Sequence, residues 1–106
     1  MDQAARAAIA SASNLVLVSA AVVWEIRIKE ALGKLFVPRS FSRVLAAERF
    51  ESLSISVPHA HRLRGLPQKH RDPFDRILIA QAIVEGATMV TRDAAFDDYD
   101  VPVMRA

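Results

Sequence analysis

Glu25, Asp75 and Asp93 are acids placed where acids are costly or conspicuous. Asp75 follows Asp72-Pro73-Phe74 at the head of a helix-forming stretch that runs to Glu85. Pro73 suits the first helical position, because its fixed φ is already helical and its missing N–H would have had no partner there. Asp72 is then the N-cap. At about 100° per residue, Leu78, Ile79, Ala82 and Ile83 share one apolar stripe, and Asp75 falls on it. A carboxylate pointing at a core is costly unless a cation or a hydrogen-bond donor meets it. Glu25 shares a helical face with Ala21, Val22, Ile28 and Leu32, so it too leans toward the apolar side. Asp93 follows the apolar run Thr88-Met89-Val90-Thr91. Carboxylates gathered at one edge repel and raise each other's pKa. A divalent cation removes that cost, and an oxygen-only ligand set suits Mg²⁺ or Mn²⁺. Such an ion activates water and stabilises charge on a phosphodiester transition state.

Each acid also has a plainer reading, and both readings stay open here. Asp75 can be the acidic third residue of a capped helix start. Glu25 and Lys29 are spaced for an i,i+4 surface pair worth a few tenths of a kcal/mol, about 0.2–0.5. Asp93 can cap a turn at Ala94–Phe96. Asp97, Asp98 and Asp100 read as solvated loop acids, and His59 and His61 show no pairing that suggests a ligand. Trp24 and Phe74 read as core residues.

The elements that must position the acids alternate along the chain. A short helix over 2–11 is capped by Asp2 and ends at Asn14. Leu15–Val18 reads as a strand buried on both faces, and Ser19 caps a helix from Ala20 to about Leu32, closed by Gly33. Val37–Ser40 reads as a loop, and a helix is expected from about Phe41 to Phe50. Leu53-Ser54-Ile55-Ser56-Val57 alternates as a second strand. Pro58 opens a short helical piece that ends near Gly65. The Pro73–Glu85 helix stops at Gly86, Thr88–Thr91 is a third buried strand, and Val101–Met104 is a last strand whose proline makes it an edge. Helices alternating with short apolar strands mean an α/β domain with a parallel sheet. Ligands of such sheets bind at the carboxyl ends of the strands, where the three acids map.

The 106 residues suffice for a single domain, 1–106, and not for two. A hydrophobic share of 52% and a charged share of 25% are ordinary for a globular protein. With no cysteine, disulfides and thiolate metal sites are excluded, which fits a reducing cytoplasm. No apolar run approaches a membrane span of about 18 residues, and the N-terminus does not read as a signal peptide. The net charge of +2 permits a polyanionic partner without demanding one. Arg71, Arg76 and Arg92, clustered near the acids in sequence, are candidates to hold RNA backbone phosphates, and Arg76 and Arg92 could equally pair with the acids.

The stretch Val18-Ser19-Ala20-Ala21-Val22-Val23-Trp24-Glu25-Ile26, continuing to Leu35, resembles the Trp-Glu-Ile helix of PIN-domain proteins of the VapC toxin type. Leu66-Pro67, then His70-Arg71-Asp72-Pro73-Phe74-Asp75 on to Ala82, resembles the third-acid helix of that family. Val90-Thr91-Arg92-Asp93 followed by Phe96 resembles its fourth-acid turn. The resemblance covers essentially the whole chain and implies a three-layer α/β/α fold with a central parallel sheet. It implies an Mg²⁺- or Mn²⁺-dependent endoribonuclease, toxic to its own cell, held in check by a cognate antitoxin and forming a homodimer in the cytoplasm. By motif match, Glu25, Asp75 and Asp93 are the catalytic, metal-holding acids; Asp72 is a further acid of the motif, ranked below Asp75 because it fits the cap. Family members begin with a central strand that ends in an aspartate. That strand is expected to be missing here, leaving an N-terminally truncated domain with a gap beside Leu15–Val18 and Thr88–Thr91. The alternative function is then an inactive remnant that keeps only dimer and antitoxin binding.

Overall fold

The computed structural model describes residues 3–11, 13–37, 50–68, 72–91 and 93–105. In chain order these form α1 (Gln3–Ala10), β1 (Val16–Ser19), α2 (Ala20–Ala31), β2 (Phe50–Leu53), α3 (Val57–Arg62), α4 (Pro73–Glu85), β3 (Met89–Thr91), a 3₁₀ turn (Ala94–Asp98) and β4 (Val103–Arg105). The protein is mixed α/β with parallel strand pairs, as the alternation of elements predicts. The loop at Val37–Ser40 (beyond its first residue) and the helix expected from Phe41 lie outside the described residues. The chain divides into two compact units, residues 15–54, and residues 1–14 together with 55–106.

In the unit of residues 15–54, β1 pairs in parallel with β2, Val16 opposite Phe50 and Ser19 opposite Leu53. Ser19 is both the last residue of β1 and the N-cap of α2. Its backbone is extended, and its Oγ accepts the Ala21 N–H at 3.0 Å. This cap turns the chain from strand to helix without a linker, so α2 packs on β1. The helix ends at Leu32, and Gly33 follows with φ of +72°, a conformation that glycine takes without Cβ strain. Ala21 is buried, and β1 is half-buried along most of its length. Leu15–Val18 is therefore not buried on both faces as its apolar run suggests. Trp24 is 57% exposed and Leu32 64% exposed, which corrects the reading of Trp24 as core.

The other unit holds the larger core, built from Ala5, Leu66, Ile77, Ile79, Ala80, Ala82, Phe96 and Tyr99. The α4 helix supplies half of it. Its start is fixed by Asp72 and Pro73, and its stop by Gly86 at φ +64°. Its buried residues are Ile77, Ile79, Ala80, Gln81 and Ala82, whereas Leu78 and Ile83 are only half-buried. The buried face is thus broader than the stripe drawn from periodicity and rotated toward Ile77 and Ala80. A helix so largely apolar has little amphipathic contrast to fix its orientation, so packing decides.

The strand expected over Leu53–Val57 lies earlier, at Phe50–Leu53. Ser56, Val57 and Pro58 instead open α3, and the cap geometry at Ser56 is extended. A proline in the first helical turn and a serine ahead of it outweigh the alternation of Leu53, Ile55 and Val57. Ile55 and Val57 are accordingly exposed. The α3 helix packs on α4, and α1 packs on β4. β3 pairs in parallel with β4, Met89 opposite Val103, and the Met89 N–H donates to the Pro102 carbonyl at 2.9 Å. Parallel pairing requires a crossover, whose described part, residues 93–102, runs through the 3₁₀ turn. Val90 is 41% exposed, so β3 is not the fully buried strand that its composition suggests.

Candidate functional site

Two of the candidate acids are placed by the same device. Asp72 caps α4: its Oδ1 accepts the N–H of Phe74 at 2.9 Å and that of Asp75 at 3.4 Å. Asp93 caps the 3₁₀ turn: its Oδ1 accepts the Ala95 N–H at 2.9 Å, and its own N–H donates to Thr91 Oγ1 at 3.1 Å. The Thr91 bond fixes the exit from β3, and the cap starts the turn, so Asp93 is tied on both sides. In each aspartate Oδ2 has no partner among the described residues. The plainer reading of both acids as caps is therefore correct locally, and it occupies only one oxygen of each.

Asp75 stands in the first turn of α4 and is half-buried. Its position beside Asp72 puts two carboxylates within one helical turn at the positive end of the α4 dipole, where negative charge is favoured. The far end of α4 leads through Gly86 to β3, and Asp93 follows β3. Asp72, Asp75 and Asp93 all belong to the unit of residues 1–14 and 55–106.

Glu25 belongs to the other unit. It lies on α2 with its side chain 22% exposed, and Lys29 Nζ is 3.4 Å from its Oε2. This is the i,i+4 surface pair that spacing allows, and it holds the carboxylate weakly: such pairs contribute about 0.3–0.5 kcal/mol. Within either unit, no three His, Asp or Glu side chains among the described residues come together in a metal-holding group.

Of the candidate phosphate-holding arginines, Arg71 and Arg92 lie outside the described residues. Arg76 is half-buried on α4, and its Nη1 donates to the Pro67 carbonyl at 2.9 Å, which fastens the loop ahead of α4 to the helix.

Sequence reasoning missed His59. It is 2% exposed, and its ring is specified on both sides. Nδ1 accepts the Ser56 N–H at 3.0 Å, so Nε2 carries the proton and donates to Glu85 Oε2 at 2.9 Å. Gln81, also buried, lies 3.4 Å from Nδ1. A signal was present: Ser56 and His59 are spaced as N-cap and third helical residue, where Glu or Gln usually reaches back to the cap N–H. The cluster joins α3 to α4 and is structural. Tyr99 is buried too, and its hydroxyl has no partner among the described residues.

A mixed α/β chain with parallel strands and carboxylates set at the starts of helical turns presents hard oxygen donors, the chemistry that Mg²⁺ and Mn²⁺ prefer. The sequence places it more closely: the family model described as PIN domain matches residues 2–102, and the chain belongs to that family. PIN domains are generally nucleases and typically use a divalent metal. Comparison with curated proteins and with solved structures found no match. No described helix is long and apolar enough to cross a membrane.

Proposed function

We propose that this chain is a single PIN-like domain of the VapC toxin type, an endoribonuclease that hydrolyses RNA phosphodiesters and pairs with a cognate antitoxin. The observation that carries the reading is the PIN match over residues 2–102, joined to the acid motifs it spans. In this reading Glu25, Asp75 and Asp93 are the metal-holding acids and Asp72 an auxiliary one. The donor chemistry fits: all four are carboxylates, and Asp93 Oδ2 has no partner among the described residues while Oδ1 caps the turn. A gathered trio of side chains is not a requirement, because Mg²⁺ is commonly held by one or two carboxylates, with waters and substrate phosphates completing its shell. The bound ion would supply an activated water and charge stabilisation at the phosphate. The chain's own part is positional. The Asp72 cap holds the first turn of α4, and with it Asp75; the Thr91 and Ala95 bonds hold Asp93 at the exit of β3. Lys29 can swing from Glu25 at small cost, freeing that carboxylate.

A second reading is an inactive remnant that retains dimer and antitoxin binding. Induced expression in a bacterial host separates the readings. The toxin reading expects growth arrest by the wild type and none by Asp93→Asn at equal protein level; equal growth of the two strains supports the remnant.

A further inference from the structure

From Ser52 to Arg71 the chain has no aspartate or glutamate, yet this stretch carries Arg62, Arg64, Lys69, Arg71 and all three of its histidines. The described part of that stretch is built rather than loose. The α3 helix ends at Arg62, the Arg64 N–H donates to the His61 carbonyl at 3.1 Å, and the Leu66 N–H to the Leu63 carbonyl at 3.2 Å. Gly65, at φ +88°, makes the turn, Leu66 is buried, and Arg76 holds the Pro67 carbonyl from α4.

The arginines on this anchored turn differ from several basic side chains elsewhere. Arg27 is 2.8 Å from Glu30, Lys29 is 3.4 Å from Glu25, and Arg105 is 3.3 Å from Asp97. Arg62 and Arg64 have no ion pair or hydrogen-bonding side-chain partner among the described residues; Arg64 is exposed and Arg62 half-exposed. A cation near a helix C-terminus is favoured by the dipole, which accounts for Arg62 in part and not for Arg64 beyond the last turn. Guanidinium groups with no partner among the described residues, on an ordered turn in an acid-free stretch, make a site for a polyanion.

We infer that Arg62 and Arg64 form a backbone-phosphate contact for single-stranded RNA, outside the acidic centre and next to it along the chain. The inference rests on the ribonuclease reading for its choice of polyanion. Arginine matches phosphate with a fork of donors, and such contacts bind without reading sequence. The turn would hold the strand while the first turn of α4, which opens at Asp72, the next described residue after Gln68, and carries Asp75, meets the scissile region.

The test is fluorescence anisotropy of a labelled single-stranded RNA oligonucleotide in EDTA across a KCl series. Each phosphate contact on a single strand adds about 0.7 to the slope of log K against log salt. The Arg62→Gln/Arg64→Gln variant is expected to lower that slope by about 1.4, and Arg64→Gln alone, at an exposed turn where folding is not at risk, by about 0.7. Arg62→Lys/Arg64→Lys restores most of the slope, which a packing role would not require. Arg6→Gln, an exposed arginine on α1, leaves it unchanged. A wild-type slope in Arg64→Gln and in the double variant overturns the inference. So does a loss of binding confined to a polyglutamate peptide, which would assign the surface to an acidic protein. Because EDTA separates binding from cleavage, an unchanged slope beside intact Mn²⁺-dependent cleavage by the wild type overturns this surface alone. Absence of both RNA binding and cleavage in the wild type overturns the nuclease reading with it.

Discussion

Asp93 accepts the Ala95 N–H on Oδ1 at 2.9 Å and leaves Oδ2 without a partner among the described residues. One side chain thus carries a folding role on one oxygen, and the metal-holding role proposed for it falls to the other. The two roles separate by substitution. Asp93→Asn keeps a carbonyl to accept the Ala95 N–H and removes the charge, so thermal stability should stay within error of wild type while Mn²⁺ affinity by calorimetry falls about tenfold or more. Asp93→Ala should also lose the cap, at about 1 kcal/mol. Equal Mn²⁺ binding by wild type and Asp93→Asn would leave Asp93 a cap only.

Asp72 uses its Oδ1 for two N–H groups at the head of α4. Asp72→Ala should lower stability in urea denaturation by about 1 kcal/mol, within the 0.5–2 kcal/mol range of N-cap losses. Asp72→Ser should recover most of it, since serine caps as well. If Asp72→Ser instead abolishes Mn²⁺ binding at wild-type stability, Asp72 belongs with the metal-holding acids rather than behind Asp75.

The buried His59 joins Ser56 on α3 to Glu85 on α4. His59→Phe fills much of the space and leaves the Ser56 N–H and its surroundings without their acceptor, a loss of about 1–3 kcal/mol. His59→Gln, which at this position can still reach back to the cap N–H, should lose less. Denaturation midpoints of the two variants give the ranking; the reverse order contradicts the tautomer and the cap assigned to His59.

The boundaries of α4 were legible because local groups set them: Asp72 and Pro73 at the start, Gly86 in the left-handed conformation at the stop. The capping roles of Asp72 and Asp93 were legible for the same reason, since each stands directly ahead of a helical turn. The strand at Phe50–Leu53 was not, because the alternation of Leu53, Ile55 and Val57 mimics a strand until the Ser56 cap and Pro58 claim that segment for α3. His59 was hidden for a different reason. Its partner Glu85 lies 26 residues away, and only packing of α3 on α4 brings them to 2.9 Å. The burial of β1 was overestimated because an apolar run records what a strand can bury, not how many neighbours cover it.

Trp24 is the single tryptophan of the chain and is 57% exposed on α2. Its fluorescence should therefore be red-shifted and readily quenched by acrylamide in the isolated protein. An antitoxin that covers α2 should blue-shift the emission and protect it from quenching. A blue-shifted, protected tryptophan in the free monomer would contradict the exposure of this helix face.

The central claim is that carboxylate-held metal lets this chain cut RNA. Incubation of the purified wild type with a labelled RNA, in Mn²⁺, in Mg²⁺ and in EDTA, beside Asp75→Asn and Asp93→Asn, tests it most directly. The account predicts cleavage by the wild type in either metal, none in EDTA, and loss of at least about a hundredfold in each variant, on the order of 2.7 kcal/mol of transition-state stabilisation. Cleavage that persists in EDTA, or that is equal in wild type and both variants, would contradict it.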